Sequence, residues 1–535
     1  MAARSAKRPN ILLLYSDQHN ARVLGCYGNG QVRTPHLDAL ASRGVRCDNA
    51  FTQNPICTPS RMCIMSGQYV HNFGTYSLMG PSPDGLPSLF SHVRRQGYRT
   101  GMAGKTHTPT GWLARHCDDV GDGYGYEQHL TPETADRQFG LQGLTPDDYD
   151  RYLEELGLAD QRDDKILPGQ FEKAGHRWSQ GVDACAGRLP KEHTIEGWAA
   201  MRCERFIEDA ARDGQPFCYW MTVPHPHEAY APAREFWDLY DEATLELPPN
   251  ADNRLEGRHP AAVAKQRSQQ GDDWWRLFDP KDWESARRRV LRGYYGCVSQ
   301  VDYAVGRVMA KLDELGLRDN TIVVYTTDHG EFAGEHGLIE KAPGIGFGCV
   351  TRIPMIWSWP GRLPEGTVRD ELVESIDFLP TVCRLAGLDE PDWVDGLNIA
   401  DLLARGGEVR EVAVTENPLT KTIHTRRWKL TQYLPETQGG RDFGELFDRQ
   451  NDPWELRNLY FDPEYREVVG ELRFRLYQWL VRTTRNVSIN PVAPGPAGDP
   501  TPRSWDLAGD LRDGDGKVGR RVTRRLIDEQ GVNYL

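Results

Sequence analysis

NILLLYSD, residues 10–17, is the stretch on which the fold turns. Ile11 to Tyr15 are apolar without a break, and the run stops on Ser16 and Asp17. A strand with one wet face alternates apolar and polar residues, whereas a strand covered on both faces has no polar side to show. NTIVVYTTDHGE, residues 320–331, repeats the form, and PFCYWMTVPHPH, residues 216–227, is a third case. Between such runs lie helical patterns. In TPHLDALASRG, Thr34 has the chemistry of an N-cap, Pro35 suits the first helical position and Gly44 marks the stop. In VDYAVGRVMAKLDELG, Val301, Val305, Val308, Met309, Leu312 and Leu315 share one helical face. Buried strands alternating with amphipathic helices predict an α/β fold, with a large, mostly parallel sheet sandwiched by helices. Ligands of such sheets sit outside the carboxyl ends of the strands, where Asp17, His225, Asp328 and His329 fall.

Past residue 389 the pattern changes. Shorter strand-like runs, REVAVTEN and RRWKLTQYL, precede a turn-rich ELFDRQNDPWELRNL and a helix from about Pro463 to Val481. These predict a first domain over 1–389 and a smaller C-terminal α+β domain over 390–485. The remaining residues, 486–535, are rich in Pro, Gly and Asp and read as an extended arm through which copies of the chain could associate.

The chain has 535 residues, a net charge of −13 and 39% hydrophobic residues, with no apolar run near the length of a membrane span. An acidic balance argues against nucleic acid as a general partner, although a site inside an acidic protein can be locally basic. Eleven cysteines without paired spacing suit reduced thiols, and the short apolar run behind the basic N-terminus is no signal-peptide core. These features predict a cytoplasmic protein that acts on small imported substrates.

Asp17-Gln18 and Asp328-His329 each end a strand, and oxygen ligands joined by one imidazole suit a divalent cation such as Ca²⁺, Mn²⁺ or Mg²⁺. NPICTPSRMCIMSG, residues 54–67, sets Cys57 and Arg61 at the start of a helix whose later residues are apolar. Taken singly, each of these residues has an ordinary structural reading as a cap, a turn or a core polar group.

Their combination does not. CTPSRMCIMSG resembles the sulfatase signature of cysteine-x-proline-serine-arginine with a downstream glycine. RPNILLLYSDQ resembles the family's first metal strand, GYRTGMAGKTH its second motif, and TTDHGEFAGEHGLIEK its second metal strand with the following lysine. TPHLDALASRGVRCDNAFT and LFDRQNDPWELRNL match in order as well, so the resemblance runs from about residue 8 to 480. The chain is thereby identified as resembling the type I, formylglycine-dependent sulfatases of the alkaline phosphatase superfamily.

The resemblance implies sulfate monoester hydrolysis, with small aryl or alkyl sulfates as substrates. Cys57 would be converted by a formylglycine-generating enzyme to an aldehyde whose hydrate attacks sulfur and later expels sulfate, dividing one hard step into two. It also implies metal ligation by Asp17, Gln18, Asp328 and His329 together with residue 57, with Ca²⁺ the first choice. Arg61 would fix the nucleophile, Lys105 and Lys341 would clamp sulfate oxygens, His225 would protonate the leaving alcohol and His107 would assist deprotonation of the diol. Two departures matter. Many members have aspartate where this chain has Gln18, and some have asparagine at the position of His329. The Asp-Gln and Asp-His pairs resemble those of choline sulfatases and phosphonate monoester hydrolases, which keeps phosphonate or phosphate ester hydrolysis as the alternative, while GKTH favours the sulfatase side.

Overall fold

The computed structural model describes residues 8–78, 85–109, 112–122, 148–161, 184–271, 283–341, 344, 346–435 and 440–485. Eight strands form the main sheet: β1 (Asn10–Asp17), β2 (Val45–Phe51), β3 (Arg99–Gly104), β4 (Asp119–Asp122), β5 (Phe217–Pro226), β6 (Thr321–Thr327), β7 (Arg352–Ser358) and β8 (Thr367–Glu374). Their order is β4-β3-β5-β1-β6-β7-β2-β8. Only β7 runs antiparallel to its neighbours; every other pair is parallel.

The unbroken apolarity of β1 has a direct cause in this order. The strand lies between β5 and β6, with Leu12 beside both Tyr219 and Val323, and all eight of its residues are buried. Ile11, Leu13 and Tyr15 enter one hydrophobic core, and Leu12 and Leu14 enter another on the opposite face. The first face is covered by α2 (Cys57–Ser66) and α5 (Phe378–Ala386); the second is covered by α1 (Pro35–Ser42), α3 (Ile195–Asp213) and α4 (Trp283–Glu314). Period-2 geometry sends successive side chains to opposite faces, so a strand with helices on both sides has no position at which water would reward a polar residue.

Pro35 opens α1 as expected, but Thr34 does not cap it with its side chain. The Thr34 hydroxyl accepts the Gly25 amide and donates to Asp38. The cap comes from Asp302 on α4, whose carboxylate accepts the amides of Leu37 at 2.7 Å and His36 at 3.2 Å. A distant acid thus satisfies the orphan donors of the first turn, which no local pattern signals.

A second, antiparallel sheet comprises β9 (Ala413–Glu416), β10 (Thr420–His424), β11 (Trp428–Tyr433) and β12 (Gly444–Asp448), in the order β12-β11-β10-β9, and is followed by α6 (Arg466–Thr483). Val414, Ile423, Leu430 and Leu446 belong to the same core as Ile11 and Leu13, so the apolar interior continues across residue 389. All eleven cysteines are free thiols, and among the described residues no helix is long and apolar enough to cross a membrane. The arm over 486–535 lies outside the described residues, as does the self-association expected of it.

Candidate active site

Parallel pairing of β1 and β6 builds the site. Ser16 lies beside Thr327 in register, so the residues that follow, Asp17 and Asp328, leave the sheet side by side. Helix α2 begins at Cys57 without a side-chain cap on its first turn, directing free amides and the positive end of its dipole toward the same spot. The Cys57 sulfur is 3.2 Å from His329 Nε2 and 3.7 Å from Asp17 Oδ1. Ser60, one turn on, donates to the Asp328 carbonyl at 2.7 Å and locks the helix start to the end of β6.

Arg61 organises the two carboxylates. It is 0% exposed, with Nη2 2.8 Å from Asp17 Oδ2 and Nε 3.1 Å from Asp328 Oδ2. Its Nη1 donates to the Lys105 carbonyl and to Thr222 Oγ1, each at 2.7 Å. Asp328 Oδ1 also accepts the backbone amides of Gln18 and His329, both at 2.9 Å. Burial opposes ionisation of Asp17, but Lys105 and Arg61 outweigh it and hold the carboxyl well below its usual range.

Lys105 follows β3 with Nζ 2.8 Å from Asp17 Oδ2. Gly104, just before it, has φ 105° and approaches β5 so closely that a Cβ would lie 1.8 Å from the Thr222 carbonyl oxygen; glycine is what lets Lys105 leave the sheet there. His107 is buried two residues beyond. Lys341 arrives from the segment after β6, its Nζ 2.7 Å from Gln18 Oε1 and 3.0 Å from His227 Nε2. Burial works against its charge, yet Cys57, Glu228 and Asp17 together push its pKa above the usual lysine value.

Gln18 occupies a left-handed backbone conformation, φ 62°. Its amide nitrogen donates to Glu228 at 2.9 Å and to Glu331, while its oxygen faces Lys341. Burial and the neighbouring Glu228 push Glu331 up to about 8. Glu228, against burial, is held at about 2, with the Lys341 cation beside it.

The two histidines of the PHPH run part company. His225 Nδ1 lies 3.2 Å from Glu196 Oε1 and 3.1 Å from Gln300 Nε2, on the side of β5 packed by α3 and α4. His227, not singled out from sequence, is the imidazole on Lys341, and its Nδ1 is 2.8 Å from the Glu228 carbonyl. His225, expected from sequence as the leaving-group acid, is thus paired with Glu196 and Gln300, and His227 is the histidine on Lys341. The pair of histidines two residues apart was the signal available, and the bend at the end of β5 decides between them. Both line a cleft together with Glu228, Glu196, Gln300, Tyr149 and Leu189.

Metal-ligating atoms of Asp17, Cys57, Asp328 and His329 lie within 4.8 Å of one another, all on buried residues. Two carboxylates and an imidazole at that spacing fit one divalent cation, and Arg61 and Lys105 beside them would then leave the centre net positive, as suits an anionic substrate.

Comparison with known proteins identifies the family. The family model described as Sulfatase matches residues 9–388, and one described as N-sulphoglucosamine sulphohydrolase, C-terminal, matches residues 334–482. The chain belongs to the sulfatase family, within the alkaline phosphatase superfamily, and is a sulfuric ester hydrolase. It is 27% identical over 471 residues to the choline-sulfatase of Rhizobium meliloti (strain 1021), covering 85% of this chain and 83% of that one. It is 25% identical over 540 residues to the N-acetylglucosamine-6-O-sulfatase of Bacteroides thetaiotaomicron, covering 87% and 85%. Its fold matches the phosphonate monoester hydrolase SpPMH from Silicibacter pomeroyi with a TM-score of 0.73, at 21% identity over 89% of this chain and 96% of the other.

Proposed function

We propose that the protein hydrolyses small sulfate monoesters, using a formylglycine made from Cys57 and one divalent cation, Ca²⁺ by first choice, held by Asp17, Asp328 and His329, while Gln18, expected from sequence as a further ligand, has its side-chain oxygen on Lys341. The observation that carries the reading is the grouping of Lys105, Lys341 and His227 around the Cys57 and Asp17 position, a cationic cradle for an anion with a proton carrier at its edge. A cation there would draw charge from the nucleophile and the sulfate oxygens. Formylglycine supplies a hydrated aldehyde, one hydroxyl for attack on sulfur and a second for release of sulfate.

The chain's own residues have separable tasks. Arg61 holds the Asp17 and Asp328 carboxylates side by side. Lys105 and Lys341 bind the nonbridging oxygens and strengthen as charge moves onto them. His227 rests neutral: burial, with Lys341 and Lys105, holds it at about 3 despite Glu228. An ester anion docked against Lys341 would offset that positive charge and raise the proton affinity of His227, which takes up a proton from solvent and passes it from Nε2 to the departing alcohol. His107 takes the proton from the second hydroxyl.

Two measurements test this. Peptide mass spectrometry of protein made with a formylglycine-generating enzyme should find the aldehyde at residue 57, and Cys57→Ala should abolish turnover; full activity with an intact thiol would refute the nucleophile. The kcat/KM values for matched sulfate, phosphate and phosphonate monoesters should rank sulfate first. A preference for phosphonate would make the protein a phosphonate hydrolase in practice.

A further inference from the structure

Two buried side chains outside the reacting centre converge on the segment that carries His227. Glu196 lies in the first turn of α3 and Gln300 in the middle of α4, and both are fully buried. Glu196 Oε1 is 3.2 Å from His225 Nδ1 and accepts the His225 amide at 3.4 Å. Its Oε2 accepts from Gln300 Nε2 at 2.5 Å. Gln300 also reaches His225 Nδ1 at 3.1 Å, and its Oε1 accepts the Ala233 amide at 2.7 Å.

An ionised carboxylate is costly to bury, so a core position would keep one only for the bonds it makes. Here Glu196 holds both the imidazole and the amide of His225, and Gln300 extends the tie to Ala233. Both ends of residues 225–233 are thus pinned to helices packed on the sheet. Between the pins stand His227 and Glu228, with the His227 amide donating to the Pro224 carbonyl at 3.1 Å and Nε2 on Lys341 at 3.0 Å. Burial opposes charge on both Glu196 and His225, yet His225 lowers the acid, and Cys297 first and Glu196 after it raise the base.

We infer that Glu196 and Gln300 are positioning residues for His227, clamping residues 225–233 through His225 and Ala233 so that the imidazole stays on Lys341 and faces the leaving oxygen. The inference rests on the reading of His227 as the leaving-group acid. A shift of about 1 Å at a reacting group can cost on the order of 10²-fold. The loss should fall on substrates that need the acid, because a good leaving group departs without protonation.

The experiment compares kcat/KM for an alkyl sulfate and for 4-nitrophenyl sulfate in full-length enzyme of matched formylglycine and metal content. The variants are Glu196→Gln, Gln300→Leu, His227→Ala and the double His227→Ala/Glu196→Gln. His227→Ala should lose far more on the alkyl ester. Glu196→Gln and Gln300→Leu should each lose about tenfold to a hundredfold on the alkyl ester and little on the aryl ester. In the His227→Ala background, Glu196→Gln should cost nothing further on the alkyl ester, because a residue that acts through another has no effect once that other is gone. If one clamp variant fails to fold, the other carries the comparison. Equal losses on both esters, or a Glu196→Gln loss that adds in full to that of His227→Ala, overturns the clamp alone. Equal losses on both esters in His227→Ala overturn the acid role and the clamp with it.

Discussion

Arg61→Met removes the guanidinium between the metal carboxylates while keeping an unbranched side chain of similar reach in its pocket beside Tyr15 and Trp220. Its effect can be worked from the contacts. Asp17 would keep Lys105 at 2.8 Å, so its charge stays paired. The Lys105 carbonyl would keep the Thr222 hydroxyl, at 2.9 Å. Asp328 would retain two backbone amides on Oδ1 and lose the cation on Oδ2. One buried carboxylate is therefore left without its partner, which costs about 3–5 kcal/mol, a large part of the roughly 5–15 kcal/mol that holds a typical fold. A divalent cation compensates that same carboxylate. The loss should then be near full in chelator-treated protein and much smaller with excess metal. Urea unfolding followed by tryptophan fluorescence, with and without the cation, measures both. A metal-free Arg61→Met protein within about 1 kcal/mol of wild type would refute the account, since that is the scale of an exposed ion pair.

Asp328→Ala should keep the secondary structure, because the change lies beyond the end of β6, yet purify without stoichiometric metal by elemental analysis; retained metal would remove Asp328 from the ligand set. Asp302 supplies a stability prediction with a definite sign. Burial pushes it up to about 7, so the folded state binds the proton more tightly than the unfolded chain does. That contribution is complete below pH 4 and is lost as pH rises through 7. Asp302→Asn keeps an acceptor for the Leu37 amide but cannot ionise, so its stability relative to wild type should rise from pH 5 to pH 8 by about 3 kcal/mol of a full linkage of roughly 4 kcal/mol, seen as a growing difference in melting temperature. Equal differences at the two pH values would contradict it.

Much of this protein was determined in one dimension. The two-faced burial of β1, β5 and β6 is written as continuous apolar runs, because any strand between helical layers must lack a polar face. Asp17, Cys57, Arg61, Asp328 and His329 could be found together because short motifs set each at a strand end or helix start, and a parallel sheet gathers its strand ends on one edge. What needed the third dimension was every choice between chemically equivalent neighbours. PHPH offers two imidazoles, and only packing of β5 against α3 and α4 turns His225 to Glu196 and leaves His227 to Lys341. Thr34 had the chemistry to cap α1, and an acid 268 residues away at position 302 took the role. Glu196 and Gln300 carry no motif at all. Their effect comes from being buried beside a segment remote in sequence, and hydrogen bonds of that kind leave no periodic trace, because the partners are set by which helix lands on which strand.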